Sequence, residues 1–172
     1  AELYADELDA PEEAITQLAL LRTAEPDDDA VLQRLDSLYT RLEDWVPLSE
    51  VLATRLELCL DREPRRHIRL RLADLFTDKL AQDEAAIEVL QRAEGEELKH
   101  EGVHQRLDEL LTRASRWSAL LTLLDTLIEN EVVDSERGVA LRLRAAGLLL
   151  DKLEQPIEAL ERYATLLAHR PG

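Results

Sequence analysis

Apolar residues recur along the chain at spacings of three and four, in stretches of about 15 residues. This spacing places the apolar side chains on one face of a helix, so each stretch predicts an amphipathic α-helix. Pro, Asp, Ser and Gly residues separate the stretches. The breaks fall at positions 9–11, 25–27, 43–44, 62–64, 82–83, 95, 115, 134–135 and 155–156. The pattern therefore predicts ten helices, the first of them truncated, arranged as consecutive antiparallel pairs.

Two polar residues stand at predicted helix starts. Asp44 and Ser115 each precede an apolar stretch. The side-chain oxygen of such a residue can accept the unpaired backbone amides of the first helical turn. We therefore expect both residues to act as N-caps.

The second part of the chain repeats the first. When residues 1–60 are aligned with residues 73–132, an offset of 72, 22 of the 60 positions are identical. The densest match joins residues 31–41 to residues 103–113. Internal repeats of this length are typical of solenoid proteins, whose helix pairs bury their apolar faces only by stacking on neighbouring pairs.

A second stretch matches at an offset of 73. Residues 78–80 align with residues 151–153, and Ala86 aligns with Ala159. Small residues at the predicted seams allow close approach of helices, and we expect them to be buried. They are Ala73, Ala86, Ala146 and Ala159.

The end of the chain resembles the second helix of a tetratricopeptide repeat, a helix–turn–helix unit of about 34 residues. Residues 153–163 carry the resemblance. Gly147 takes the first small site, Ala159 the second, Tyr163 the aromatic position and Pro171 the closing proline. The resemblance implies an all-α fold, an α-solenoid in which antiparallel helix pairs stack into a right-handed superhelix.

The second small site recurs along the whole chain. It falls on Ala14, Leu48, Ala86, Leu120 and Ala159. The resemblance then predicts a single domain, 1–172, with a partial repeat at 1–28 and repeats at 29–62, 67–100, 101–134 and 140–172. Because the sequence contains no methionine, we expect it to be a fragment of a longer protein.

Alternate repeats depart from the family pattern. Leu48 and Leu120 replace the small residue, and Trp45 and Trp117 occupy a turn position where the family often has Tyr. We expect the helices of these repeats to pack slightly wider.

In the resembled family, ligands contact groove-facing positions of the first helix in each pair. The corresponding positions here are Gln33, Ser37, Thr40, Arg41, Arg71, Asp78, Lys79, Gln105, Glu109, Thr112, Arg113, Arg144, Asp151 and Lys152. The resemblance implies that a protein or peptide partner binds there, on the concave face of the superhelix.

The last groove position of each repeat is basic. These positions hold Arg41, Lys79, Arg113 and Lys152. One interpretation is a basic series that binds an acidic peptide or a carboxylate. The other is that each cation stabilises the negative C-terminal end of its helix.

The chain is strongly acidic, with 37 Asp and Glu residues against 21 Lys and Arg residues and a net charge of −16. Nucleic acids and anionic membranes are poor partners for this charge, because phosphate binding depends on clustered cations. Many of the acidic residues, among them Glu154, Glu158 and Glu161, fall on second helices and loops. They form either a solvated convex face or a docking surface for a basic partner.

A short motif suggests a different chemistry. Residues 100–104 spell H-E-x-x-H, which on one helix would place His100 and His104 a turn apart for zinc, with Glu101 as general base. However, the motif crosses a repeat boundary, its second histidine aligns with the apolar Leu32, and no third ligand follows nearby. We therefore predict no metal site, and a zinc metallopeptidase is the remote alternative.

Other chemistry has no sequence signal. The five glycines form no phosphate-binding loop and the serines form no nucleophile elbow. The single cysteine, Cys59, is predicted to be a small core residue, and His67 and His169 to be surface residues. Residues 117–124, one of the longest uncharged stretches, are far shorter than the ~18 residues of a membrane-spanning helix. We expect no enzyme activity, no cofactor and no membrane insertion.

The sequence therefore favours a non-enzymatic scaffold or adaptor that binds a protein or peptide partner. The alternative is a structural spacer or self-association module, in which copies bind end to end through apolar terminal faces. The excess of Arg over Lys, 18 to 3, is typical of a GC-rich bacterial genome. The lack of a signal peptide predicts a cytoplasmic location.

Overall fold

In a computed structural model, residues 11–93, 96–133 and 135–169 are described, and they form ten α-helices and no strand. The all-helical prediction is thereby confirmed at the level of fold class. The predicted first, truncated helix lies outside the described residues. The helices are α1 Pro11–Ala24, α2 Asp29–Leu42, α3 Trp45–Leu58, α4 Arg62–Asp78, α5 Asp83–Gln91, α6 Glu96–Lys99, α7 Glu101–Arg113, α8 Trp117–Glu129, α9 Glu136–Asp151 and α10 Pro156–His169.

The chain divides into two compact units, Ala1–Ala93 and Glu94–Gly172. Within the first unit, helices α1 to α5 each pack against the next helix along the chain. Within the second unit, helices α6 to α10 do the same. Each unit thus consists of helices packed with their sequence neighbours, as the predicted pairing requires.

The core of the first unit is built from leucine. Leu32 and Leu35 of α2 are buried with Ala14 and Leu18 of α1, and with Val51 of α3. A second cluster joins α3 to α4 through residues that include Leu52 and Leu72. The periodic apolar positions of the sequence are therefore the positions that meet between helices.

Several alanines are fully buried in the helical core. The four predicted seam residues, Ala73, Ala86, Ala146 and Ala159, are at most 1% exposed, and Ala145 is also fully buried. Leu48 and Leu120, which stand where the family pattern has a small residue, are buried as well. The prediction of small buried residues at the seams is confirmed.

Among the residues that the structure describes, four non-glycine residues adopt a left-handed backbone conformation. Glu43, Ala81, Ser115 and Glu154 have φ values of 56°, 53°, 56° and 55°. Glu43 aligns with Ser115 at the offset of 72, and Ala81 aligns with Glu154 at the offset of 73. The four residues follow α2, α4, α7 and α9, so the turn after each of these helices reverses the chain in the same way.

This turn corrects one predicted cap. Ser115 occupies the left-handed position, and the N-cap of α8 is Arg116 instead. Asp44, which aligns with Arg116, is the N-cap of α3 as predicted, but its side chain makes no capping hydrogen bond. A serine at φ 56° cannot take the extended conformation that a capping residue uses.

The segment after Gly95 also differs from its prediction. The apolar pattern predicts one continuous helix there, whereas the structure has the short α6 followed by α7. His100 separates them in an extended conformation, with φ −65° and ψ 128°. Its Nδ1 atom accepts a hydrogen bond from the backbone N–H of Gly102 at 3.2 Å.

Candidate functional site

The first unit contains a cleft between the end of α2, the start of α3 and the C-terminal half of α4. We call it cleft A, and its volume is about 180 Å³. Leu48, Leu52 and Leu75 form its buried apolar floor. Its other lining residues are Thr40, Trp45, Arg71, Asp74, Asp78 and Lys79.

The second unit contains an equivalent cleft, cleft B, with a volume of about 330 Å³. It is lined by Thr112, Trp117, Leu120, Arg144, Gly147, Leu148, Asp151 and Lys152. Every one of these positions aligns with a lining residue of cleft A, at an offset of 72 for the first three and 73 for the others. Only one position differs in residue type: Gly147 stands where cleft A has Asp74, which leaves cleft B without that side chain.

A buried carboxylate organises the polar side of cleft A. The side chain of Asp36 is 7% exposed. The Oδ2 atom of this carboxylate accepts two hydrogen bonds, one from Arg55 at 2.6 Å and one from Arg71 at 2.7 Å. Arg71 also donates to the hydroxyl of Thr40 at 2.7 Å. The guanidinium groups of Arg55 and Arg71 thus compensate one buried negative charge. The contacts with Asp36 and Thr40 also hold the side chain of Arg71 against the wall of the cleft.

Cleft B repeats this ion pair in a more exposed form. Both terminal nitrogens of Arg144 donate to the carboxylate of Asp108, one of them at 2.6 Å. The hydrogen bond to Asp108 raises the pKa of the Arg144 guanidinium. Asp108 is 22% exposed, and Leu127 aligns with Arg55, so the second cation of the first unit has no counterpart.

A lysine stacks on the tryptophan of each cleft. The Nζ atom of Lys79 lies 4.8 Å from the ring centre of Trp45, and that of Lys152 lies 5.3 Å from the ring centre of Trp117. Both distances fall within the range of cation–π contacts. Each lysine is also the C-cap of its helix. The ammonium groups therefore lie at helix C-termini, as the dipole interpretation requires, and at the rims of the clefts.

The predicted groove residues separate into two sets. Eight of the fourteen line the clefts, four in each: Thr40, Arg71, Asp78 and Lys79, and Thr112, Arg144, Asp151 and Lys152.

The other six predicted residues do not line these clefts. Gln33 and Gln105 donate to Asp29 and Glu101 one helical turn before them. The hydroxyl of Ser37 donates to the carbonyl of Gln33. The remaining three are exposed residues of the same two helices: Arg41 on α2, and Glu109 and Arg113 on α7.

Sequence reasoning missed several residues that build the clefts. Asp36 and Asp108, which hold the two arginines, were not among the predicted site residues. Trp45 and Trp117 were interpreted only as turn residues. All four residues are identical across the offset of 72, so restricting the search to identical polar and aromatic pairs would have identified them.

The two histidines of the H-E-x-x-H motif lie in different environments. His100 is the N-cap of α7, while His104 lies inside that helix and is 8% exposed. The backbone N–H of His104 donates to the carbonyl of His100 at 3.2 Å, so the two residues are one turn apart. Their ring nitrogens nevertheless have different partners, since Nδ1 of His100 accepts from the N–H of Gly102. Nε2 of His104 lies 3.4 Å from a guanidinium nitrogen of Arg137. Across the described ranges, His, Cys, Asp and Glu side chains nowhere group in threes that could hold a metal ion.

Another cavity, of about 660 Å³, lies in the first unit around the α3–α4 connection. Cys59 lines it, as the C-cap of α3, and its thiol faces the carbonyl of Asp61 at 3.6 Å. The cysteine is partly buried and packs against the core of α3 and α4, so it lies at the edge of the core to which it was assigned. His67 is exposed as predicted, and the side chain of His169 lies outside the described part of the chain.

No known family model matches the sequence, and no curated protein matches it at a significant level. In the described residues, no helix combines the length and the apolar character needed to cross a membrane.

Proposed function

We propose that this chain is a non-enzymatic protein–protein interaction scaffold whose clefts A and B each receive an apolar side chain of a partner protein or peptide. The observation that supports the proposal is the repetition of the whole cleft. Eight aligned positions line both clefts, and seven of them hold the same residue type. We further propose that the helix pairs of each unit stack in the manner of a tetratricopeptide-like, right-handed α-solenoid.

The size and lining of the clefts suit a side chain better than a cofactor. Their volumes, 180 and 330 Å³, lie below or at the lower limit of the ~300–1,000 Å³ of small-molecule pockets. Leucines form the floor and a tryptophan face forms one wall, so the contact inside the cleft is apolar. The exposed ammonium of Lys79 or Lys152 at the rim can pair with a carboxylate of the partner.

The test compares two pairs of charge reversals. Lys79→Glu with Lys152→Glu changes the two cations that border clefts. Arg41→Glu with Arg113→Glu is the matched control, because these residues hold the same predicted groove position in the other repeats but line neither cleft. Peptides selected from a display library on the wild-type chain would be measured against both variants by fluorescence anisotropy, after circular dichroism has confirmed that both remain helical.

We expect the lysine variant to lose binding by about tenfold or more, because it removes a cation at each cleft rim. The arginine variant should bind like wild type. Equal binding by both variants would move the binding site away from the clefts. Equal loss in both would assign binding to the whole basic series rather than to the clefts.

A further inference from the structure

The last helix of the second unit exposes an apolar stripe. Ile157, Leu160 and Leu167 of α10 are 76%, 66% and 72% exposed. With the exposed Ala164 they follow spacings of three, four and three, which places them on one face of the helix. On the neighbouring α9, Leu143 and Leu150 are each 48% exposed. An apolar face of this extent costs solubility unless another molecule or segment covers it.

The stripe is not a copied property of the repeat. At the offset of 73, Ile157 aligns with Glu84, Ala164 with Gln91 and Leu167 with Glu94. Leu160 is the exception, since it aligns with the apolar Ile87, which is 4% exposed. The other three residues of the stripe are apolar where the first copy has a polar residue, so the full width of the stripe occurs only in the second copy.

The edge of the stripe is acidic. Glu158 and Glu161 lie three positions apart on α10, Glu154 lies in the turn before the helix, and all three are exposed. Glu158 also accepts a hydrogen bond from Arg162 at 2.9 Å. Glu154 and Glu158 align with Ala81 and Ala85, while Glu161 aligns with Glu88. The second copy therefore differs from the first in an additional acidic edge as well as in the apolar stripe.

Arginine-bearing helices already dock on apolar, acidic helix pairs inside this unit. Arg144 of α9 reaches back to Asp108 of α7. Arg162 of α10 reaches back to Asp125 of α8, with contacts of 2.5 and 3.1 Å. In both cases a helix buries leucine or alanine against the earlier pair while its arginine pairs with a carboxylate of that pair.

We propose that the exposed face of α10 docks a basic amphipathic helix of a partner protein, with leucines that cover Ile157, Leu160 and Leu167 and arginines or lysines that meet the glutamate edge. This surface is separate from clefts A and B, so it does not depend on the function proposed for them. A second copy of the chain fits the surface poorly. Two copies would each carry a net charge of −16, and in an antiparallel two-fold contact they would bring the same glutamate edges together.

The probe is a synthetic amphipathic peptide of about 18 residues, with leucines at helical spacing and arginines along both flanks. Its twin carries glutamates in place of the arginines. Leu160→Glu with Leu167→Glu is the test variant of the chain. Leu20→Glu with Leu21→Glu is the control, since these leucines are also exposed, at 60% and 47%, but lie on α1 of the first unit.

We expect the arginine peptide to bind wild type and the control equally. It should bind the test variant on the order of 100-fold more weakly, because the substitutions remove two leucine side chains from the buried contact. Glu154→Lys with Glu161→Lys should weaken the arginine peptide and strengthen the glutamate peptide. Equal binding to wild type and test variant, or no binding to wild type, would overturn the proposal. Sedimentation that shows a wild-type dimer lost in the test variant would also overturn it, in favour of self-association.

Discussion

A single buried carboxylate, Asp36, connects three helices of the first unit. It lies on α2 and accepts hydrogen bonds from Arg55 of α3 and Arg71 of α4. A buried carboxylate lowers the stability of the fold unless it is fully paired. Removing the carboxylate also lowers the stability, because its cationic partners are then left unpaired. Asp36 therefore fixes both the packing of the three helices and the position of Arg71 at cleft A.

We expect Asp36→Ala to lower the free energy of unfolding by about 3 kcal/mol, because it leaves a guanidinium that is only 16% exposed without its main partner. Asp108→Ala is the natural comparison. It breaks one ion pair whose members are 46% and 22% exposed, so it should cost clearly less. Urea unfolding followed by circular dichroism measures both, and equal losses would show that the second cation and the deeper burial do not matter.

His104 makes the second unit sensitive to pH. Burial, and then the positive charge of Arg137, lower the pKa of its imidazole below the ordinary value. The folded state therefore favours neutral His104, whereas the unfolded chain takes up a proton near pH 6.5. Its contribution to stability is complete above about pH 6.5 and is lost as the pH falls from there through the lower pKa of the folded state.

His104→Leu, which introduces the residue found at the aligned Leu32, should remove part of this loss. Wild type should be less stable in urea at about pH 5.5 than at pH 7.5, and the variant should show a smaller difference. His67→Gln serves as control because His67 is exposed. The assignment fails if His104→Leu and His67→Gln change the pH dependence equally.

At the scale of the element, the turns rather than the helices carry backbone strain. Ala81 holds φ 53° between α4 and α5, in the region that L-residues other than glycine avoid at a cost of roughly 1–2 kcal/mol. The hydrogen bonds around this turn fix its geometry, since the backbone N–H of Gln82 donates to the carbonyl of Phe76 at 2.8 Å.

Ala81→Gly should therefore raise the free energy of unfolding by about 0.5–1 kcal/mol, after the greater entropy of glycine in the unfolded chain is subtracted. Ala140→Gly makes the same chemical change at an exposed position inside α9, where glycine costs about 1 kcal/mol. Thermal unfolding of the two variants should shift in opposite directions. Destabilisation of both would mean that the turn imposes no measurable strain.

Helix positions follow from the sequence because apolar spacing and burial have the same cause. The left-handed turns do not follow from it, because none of the four residues is glycine or one of the other types, Asn, Asp and His, that favour that conformation. His100 shows the same difficulty: a histidine cap interrupts an otherwise continuous apolar pattern. The backbone conformation at the turns and at His100 depends on local capping interactions. The periodicity of apolar residues contains no information on these interactions.

For the whole molecule, the dominant electrostatic fact is the net charge of −16. The excess negative side chains repel one another in the compact state. Added salt screens this repulsion, with a Debye length of about 10 Å at 0.1 M. The ion pairs described above are local and partly buried, so salt weakens them less.

We expect the melting temperature to rise by a few degrees between about 0.01 and 0.2 M NaCl at neutral pH. Sodium chloride and potassium chloride should act alike, because the effect depends on ionic strength and not on a bound ion. A melting temperature that falls with salt would mean that the attractive ion pairs outweigh the net repulsion.

The candidate site was partly predictable at this scale. The family resemblance predicted Thr40, Lys79 and their counterparts as groove positions, and the structure places them at clefts A and B. It could not supply the cleft itself, since an apolar floor of Leu48, Leu52 and Leu75 forms only when α3 and α4 pack together. Side chains that line a cavity and side chains that fill a core follow the same periodic pattern.

The presence of two like clefts on one chain has a consequence for affinity. A partner with two matching segments would bind the second cleft intramolecularly once the first is occupied, at an effective concentration set by the segment that joins them. Avidity of this kind can exceed the affinity of either cleft by about 10²–10⁴-fold. Weak individual contacts would then suffice for tight binding, and a partner with only one such segment would dissociate quickly.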